Sequence, residues 1–159
     1  MIYKKIFLLV IAFYTAQVYG QFTVEKFINN SYENDIVAIK ETIKDKKIEE
    51  KENKGMRSIT YYEWLNPYSI KVGYLFDKEG KQRGRMLLNG KENETESKKV
   101  FDFLKKELVK IYGNDFSEMS MFGAVLLQWK NVKDYKVMLS RKDDKAALFI
   151  MKDSGGEKK

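Results

Sequence analysis

A strictly alternating run at residues 68–76 constrains the fold of this chain more than any other feature. Its sequence is YSIKVGYLF, in which every second residue is large and apolar or aromatic. Successive side chains of a β-strand point to opposite faces of its sheet, so the large residues share one face, while Ser69, Lys71 and Gly73 share the other. The run therefore predicts a strand in a sheet with one buried face, which is typical of antiparallel sheets.

Five further runs are predicted to be strands. Residues 56–63 are rich in Thr and Tyr and form the first of these strands. Residues 82–88 follow a turn at residues 77–80 and run back along the strand at 68–76. Three more strands are expected in the second half of the chain, at residues 121–130, 134–140 and 145–152.

Two helices are predicted from apolar residues at helical spacing. The first covers about residues 35–46, with Ser31 or Asn34 as its N-cap. The second covers residues 96–112, and Gly113 follows where a helix C-cap favours a positive φ. Six residues form the apolar stripe of the second helix, opposite its lysines: Val100, Phe101, Leu104, Leu108, Ile111 and Tyr112.

Both halves of the chain therefore show the order helix, strand, strand, strand. Shifting residues 33–87 by 65 positions aligns these elements without a gap, gives seven identities and places Trp64 on Trp129. We interpret this as a duplication, with pseudo-repeats at about residues 33–88 and 98–153. The predicted fold is α+β, with tandem αβββ halves whose helices pack on one face of a mainly antiparallel sheet. Both tryptophans are then expected at matching positions in the core.

A motif in the second half resembles a known pattern. Residues 108–116, LVKIYGNDF, end a helix in Tyr-Gly, and Trp129 follows in a strand before a closing hairpin. This pattern resembles the C-terminal half of uncharacterised exported bacterial domains, and the tandem helix-plus-sheet plan is similar to the β-lactamase inhibitor protein fold. The resemblance covers residues 108–151 and includes no catalytic residue. It implies an inhibitor-like binding module.

The N-terminus predicts export. Lys4 and Lys5 precede a nine-residue apolar run, and a signal peptidase could cut after Gly20. Residues 1–20 are therefore expected to be a cleavable signal peptide, and its loss lowers the formal net charge from +7 to +5. No later apolar run has the roughly 20 residues of a membrane span. We expect a periplasmic or extracellular protein in which residues 21–153 form one domain and residues 154–159 a disordered tail.

The residue types present exclude several kinds of chemistry. The chain has no histidine and no cysteine, which removes His-based and Cys-based catalysis, the usual zinc sites and haem ligation by these residues. No glycine-rich phosphate loop or calcium loop is found, so no cofactor or metal is expected. A pair of carboxylates could still hydrolyse a glycosidic bond, and Glu63 and Asp115 are the candidates. A hydrolase acting on cell-wall or polysaccharide material is the alternative function.

Aromatic and basic residues favour binding instead. Five aromatic residues lie between positions 61 and 74, and those on an uncovered sheet face would contact a partner. The positive charge suits an acidic protein surface or an anionic glycan, whereas export makes nucleic acid an unsuitable partner. The predicted function is a non-enzymatic binding or inhibitor-like module that contacts an envelope protein or anionic glycan. Its candidate binding residues are Tyr62, Lys71, Arg83, Arg85 and Lys136.

Overall fold

The computed structural model describes residues 21–30, 34–130 and 132–153, which form an α+β fold. The predicted signal peptide and the predicted C-terminal tail lie outside the described residues. In chain order, the elements are α1 (Val24–Asn29), α2 (Ile36–Thr42), β1 (Glu49–Asn53), β2 (Met56–Leu65), β3 (Tyr68–Phe76), β4 (Gln82–Asn89), α3 (Glu94–Tyr112), β5 (Phe116–Met121), β6 (Ala124–Trp129), β7 (Tyr135–Lys142) and β8 (Lys145–Lys152).

The described strands form one eight-stranded antiparallel sheet. Its order is β1-β2-β3-β4-β8-β7-β6-β5, so two four-stranded meanders meet where β4 pairs with β8. The two strands that begin the meanders, β1 and β5, lie at the two edges of the sheet. An antiparallel α+β fold is thus confirmed, with eight strands instead of the six that were predicted.

The two strands missing from the prediction are β1 and β5. All five residues of β1 are exposed, so its sequence EEKEN shows no alternation of apolar and polar residues. The strand predicted at 121–130 corresponds to β6 but was predicted to begin three residues too early, because the chain turns back at Phe122 and Gly123, whose φ angles are 50° and 76°. The end of β5 and all of β6 occupy that region. A Phe-Gly turn is hard to recognise, because Asn-Gly and Asp-Gly are the usual residues of such turns.

The helices differ from the prediction mainly at their ends. The short helix α1 was not predicted, and α2 ends at Thr42, several residues before the predicted end. Asp35 is the N-cap of α2 in place of Asn34, because its side chain accepts a hydrogen bond from the Ala38 amide at 2.9 Å. The other candidate cap, Ser31, lies outside the described residues. The long helix α3 ends at Gly113 with φ 77°, as predicted.

The core is one cluster that joins buried residues of all three helices to alternate residues of the strands. One row of register partners crosses six strands of the sheet and is buried throughout: Tyr61, Val72, Leu87, Leu148, Leu139 and Leu127. We call the face of the sheet that carries this row the inner face. Burying each large apolar side chain of this kind contributes roughly 1.5–3 kcal/mol.

Candidate binding face

The opposite side of the sheet, which we call the outer face, carries the residues that alternate with the buried row. One row of register partners crosses seven strands on this side: Tyr62, Lys71, Leu88, Ala147, Ser140, Leu126 and Met119. None of these seven residues belongs to the core cluster. Tyr62 and Met119, at the two ends of the row, are more than half exposed. The outer face is therefore a broad surface of mixed apolar and polar side chains.

Methionine is concentrated on the outer face. The register places every methionine that the structure describes there: Met56, Met86, Met119, Met121, Met138 and Met151. Methionine is flexible and polarisable, and proteins use it on surfaces that adapt to a partner. Three of the six are markedly exposed, namely Met56, Met119 and Met121. No pattern within a single strand reveals this surface, because only the register brings these residues together.

A pocket lies at one end of the outer face. Its volume is about 240 Å³, and Tyr62, Lys71, Leu88 and Lys145 contribute to its lining together with Glu92. The Lys71 ammonium nitrogen lies 5.4 Å from the centre of the Tyr62 ring, which is a cation–π distance. Two of the predicted binding residues, Tyr62 and Lys71, are thus in contact.

The same lysine also forms an ion pair with the edge strand β1. Its ammonium nitrogen donates a hydrogen bond to Oε2 of Glu49 at 2.6 Å. This bond lowers the pKa of Glu49 below its usual value, and it raises the pKa of Lys71. Lys71 therefore keeps its positive charge at the mouth of the pocket across the physiological pH range.

The two tryptophans occupy different environments, so the expectation of matching core positions is wrong. Trp129 is 3% exposed, packs on Phe116 with 5.0 Å between ring centroids, and donates from its indole nitrogen to the Gly113 carbonyl at 3.0 Å. Trp64 is 58% exposed and lies on the outer face, two residues from Tyr62. The inward-facing neighbour of Trp64 on β2 is Leu65, which is buried.

The other predicted binding residues lie apart from the pocket. Lys136 is on the outer face, but its strand is four positions from β2, or roughly 19 Å. It pairs with Asp153 at 3.3 Å, whereas Arg83 pairs with Asp77 at 2.6 Å. The five predicted residues therefore do not form one site.

Arg85 is a core residue, although it was predicted to bind a partner. Its side chain is completely buried, and its guanidinium donates to the carbonyl oxygens of Phe27 at 2.6 Å and of Asn30 at 2.5 Å. It also lies over the Phe27 ring at 5.7 Å. Arg85 thus joins α1 to strand β4 on the inner side of the sheet, away from the outer face.

The two carboxylates considered for hydrolysis do not form a pair. Glu63 lies in β2 and Asp115 immediately precedes β5, and these strands are six positions apart in the sheet, or roughly 29 Å. A glycosidase needs its two carboxylates within about 5–9.5 Å. Glu63 pairs with Lys46 at 3.1 Å, and Asp115 lies 3.9 Å from the Lys130 ammonium. Each carboxylate is therefore part of a separate surface ion pair.

The described part of the chain contains no group of three or more acidic residues that could hold a metal ion. Within residues 21–30, 34–130 and 132–153, no helix combines the length and apolar character that a membrane span requires. Comparison with known proteins finds no matching family model, no matching curated protein and no matching solved structure.

Proposed function

We propose that this chain is an exported, non-enzymatic binding module that docks an acidic protein surface on its outer face. The observation that carries the proposal is the composition of that face, which combines six methionines with the exposed rings of Tyr62 and Trp64. Aromatic residues and methionine are enriched where proteins bind one another. No helical residue of the core cluster lies on this face. The face can therefore accept a broad and shallow partner surface.

The charges of the outer face support an acidic partner. On strands β2 to β8, the charged residues at outward positions are all lysines: Lys71, Lys136, Lys142 and Lys145. Complementary potential between two surfaces speeds their encounter and selects against partners of the same sign. A partner surface rich in Asp and Glu would therefore associate with this face fastest at low salt.

We further infer that the fold arose from tandem halves whose helices pack on one face of the sheet. The hairpins β1–β2 and β5–β6 support this, because both turn on two residues with nearly equal positive φ angles, 50° and 78° at Lys54-Gly55 and 50° and 76° at Phe122-Gly123. Aligning these turns requires a shift of 68 residues along the chain. This alignment makes Tyr61 the counterpart of Trp129, and both are buried on the inner face.

Site-specific photo-crosslinking in cells that encode this protein tests the proposed function. A photoreactive amino acid would replace Tyr62 or Met138 on the outer face. In a matched control it would replace Val37, which is 70% exposed and lies on α2. We expect one protein product from positions 62 and 138 that position 37 does not form.

Equal products from all three positions, or no product from any of them, would contradict the proposal. A product whose added mass is removed by a glycosidase, and that contains no peptides other than those of this chain, would replace the protein partner with an anionic glycan.

A further inference from the structure

The two edges of the sheet differ in how well they are protected against pairing with another strand. The edge strand β1 has the sequence EEKEN, and its four charged side chains oppose the approach of a second strand. The other edge strand, β5, has the sequence FSEMSM, with one charged residue and neither lysine nor proline. An exposed edge with so few charges is a template for strand pairing, because its backbone groups can bond to another strand.

The hydrogen-bond pattern shows which backbone groups of β5 face away from the sheet. The Lys130 amide donates to the Asp115 carbonyl at 3.0 Å, so the pair 115 and 130 is a hydrogen-bonded pair of the ladder. Such pairs alternate along antiparallel strands, and the backbone groups of Ser117 and Met119 therefore point towards β6. Those of Glu118 and Ser120 point away from the sheet, and no described strand lies on that side.

We propose that β5 pairs with β5 of a second copy of this chain, antiparallel and with Met119 opposite Met119. In this register, Glu118 lies opposite Ser120 of the second copy, and their outward backbone groups bond to one another. Moving the register so that Glu118 lies opposite Glu118 would bring two like charges together, which is unfavourable between directly opposed residues. The charge of Glu118 thus disfavours the register that pairs this residue with itself.

The exposed ring of Phe122 supports a second copy as the occupant of this edge. Phe122 is 90% exposed and adopts φ 50°, which is uncommon for a residue other than Gly, Asn or Asp. The proposed register places it opposite Phe116 of the second copy. Phe116 is half-buried against Trp129, and the Lys105 ammonium lies 5.2 Å from its ring. Dimerisation would therefore provide a contact for the most exposed aromatic ring among the described residues.

Symmetry explains why pairing at this edge stops at two copies. A twofold axis through the Met119 pair uses the same strand of both copies, so the assembly is closed. A contact between β5 and β1 of the next copy would instead leave one free edge at each end and form an open chain. The charges of β1 oppose that contact, and the dimer joins two eight-stranded sheets into one continuous sheet.

Sedimentation velocity of the purified protein over a wide range of concentrations tests this proposal. We expect wild type to dimerise reversibly, whereas Met119→Lys and Met119→Glu each weaken self-association by about tenfold or more, because like charges then lie directly opposite. Mixing the two variants should restore the dimer as a heterodimer. Met56→Lys is the matched control, since Met56 is an exposed methionine beside the other edge strand.

A wild-type protein that is monomeric at every concentration would overturn the proposal, as would a Met119→Lys protein that dimerises as strongly as wild type. Failure of the mixed variants to associate would overturn the register. Circular dichroism of each variant separates loss of the dimer from loss of the fold. The outcome is independent of the acidic partner proposed for the outer face, because self-association of the purified protein is measured with no partner present.

Discussion

Met86 lies across Gly73, its register partner on the neighbouring strand. A β-carbon added to Gly73 would come within 2.5 Å of the methionine methyl carbon and 2.7 Å of its Cγ atom. The same arrangement recurs at Gly84, where a β-carbon would lie 2.5 Å from the sulfur of Met151. On the outer face, glycine therefore makes room for methionine side chains that lie flat against the sheet.

Gly73→Ala should destabilise the protein by about 1–3 kcal/mol, since the added methyl group displaces the Cγ and methyl carbons of Met86. The same substitution in a Met86→Ala background should cost much less, because only the Cγ2 atom of Thr60, 3.2 Å from the added β-carbon, then remains close. Urea unfolding of the four proteins in a double-mutant cycle measures the coupling. Equal effects of Gly73→Ala in both backgrounds would show that Met86 does not lie across Gly73.

The two tryptophans should respond very differently to truncation. Trp129→Ala removes a buried ring and leaves the Gly113 carbonyl without its indole donor, so a loss of roughly 3–5 kcal/mol is expected. Trp64→Ala should change stability by less than about 1 kcal/mol, because that ring is mostly in solvent. Chemical denaturation measures both values, and similar losses would contradict the assignment of Trp64 to the outer face.

How far the sequence predicts this fold depends on how strongly each element is buried on one side. Strand β3 and helix α3 each bury one face more deeply than the other and place their polar residues on the less buried face, so their periodicity reveals them. The edge strand β1 contacts a neighbour on one side only and buries nothing, and its sequence therefore carries no periodic signal. Helix α1 was not found because six residues are too few for a clear period.

The candidate site was predictable only in part. Tyr62 and Lys71 were recognised because they lie on adjacent strands joined by a short turn. The methionines of the outer face are spread from residue 56 to residue 151, and their proximity follows from a strand order that the sequence does not show. Arg85 was predicted to bind a partner because the positive charge of the chain suits an acidic one, whereas its guanidinium bonds to backbone carbonyls far away in sequence.

Arg85→Met should be strongly destabilising. The substitution keeps an apolar side chain of similar length but leaves the carbonyls of Phe27 and Asn30 without the guanidinium donor, which costs roughly 2–4 kcal/mol. Arg83→Met is the matched control on the same strand, and it should cost much less because half of the Arg83 side chain is in solvent. Thermal unfolding of both variants provides the comparison, and a larger loss for Arg83→Met would contradict the role given to Arg85.

Two stacked tyrosines should make the protein sensitive to alkaline pH. Burial raises the pKa of Tyr61 well above its ordinary value of 10.0, and the neighbouring Tyr74 adds to the effect; burial also raises the pKa of Tyr74. Above about pH 10, the unfolded chain therefore loses phenol protons that the folded protein keeps, so stability is full below that pH and falls above it.

Unfolding by urea between about pH 9 and 11 measures this loss. The double substitution Tyr61→Phe with Tyr74→Phe should make stability less dependent on pH in this range, because two of the linked protons are removed. An unchanged alkaline slope in the double variant would show that these two phenols are not responsible.

The central claim, that the sheet presents an open face lined with methionine, is tested most directly by nuclear magnetic resonance of methyl groups. The protein would carry labelled methionine and isoleucine methyls and be titrated with a soluble paramagnetic agent. We expect strong broadening of the signals of Met56, Met119 and Met121, whereas those of Ile59 and Ile70, which are fully buried on the inner face, should stay sharp. Methionine signals as well protected as those of the two isoleucines would contradict an open outer face.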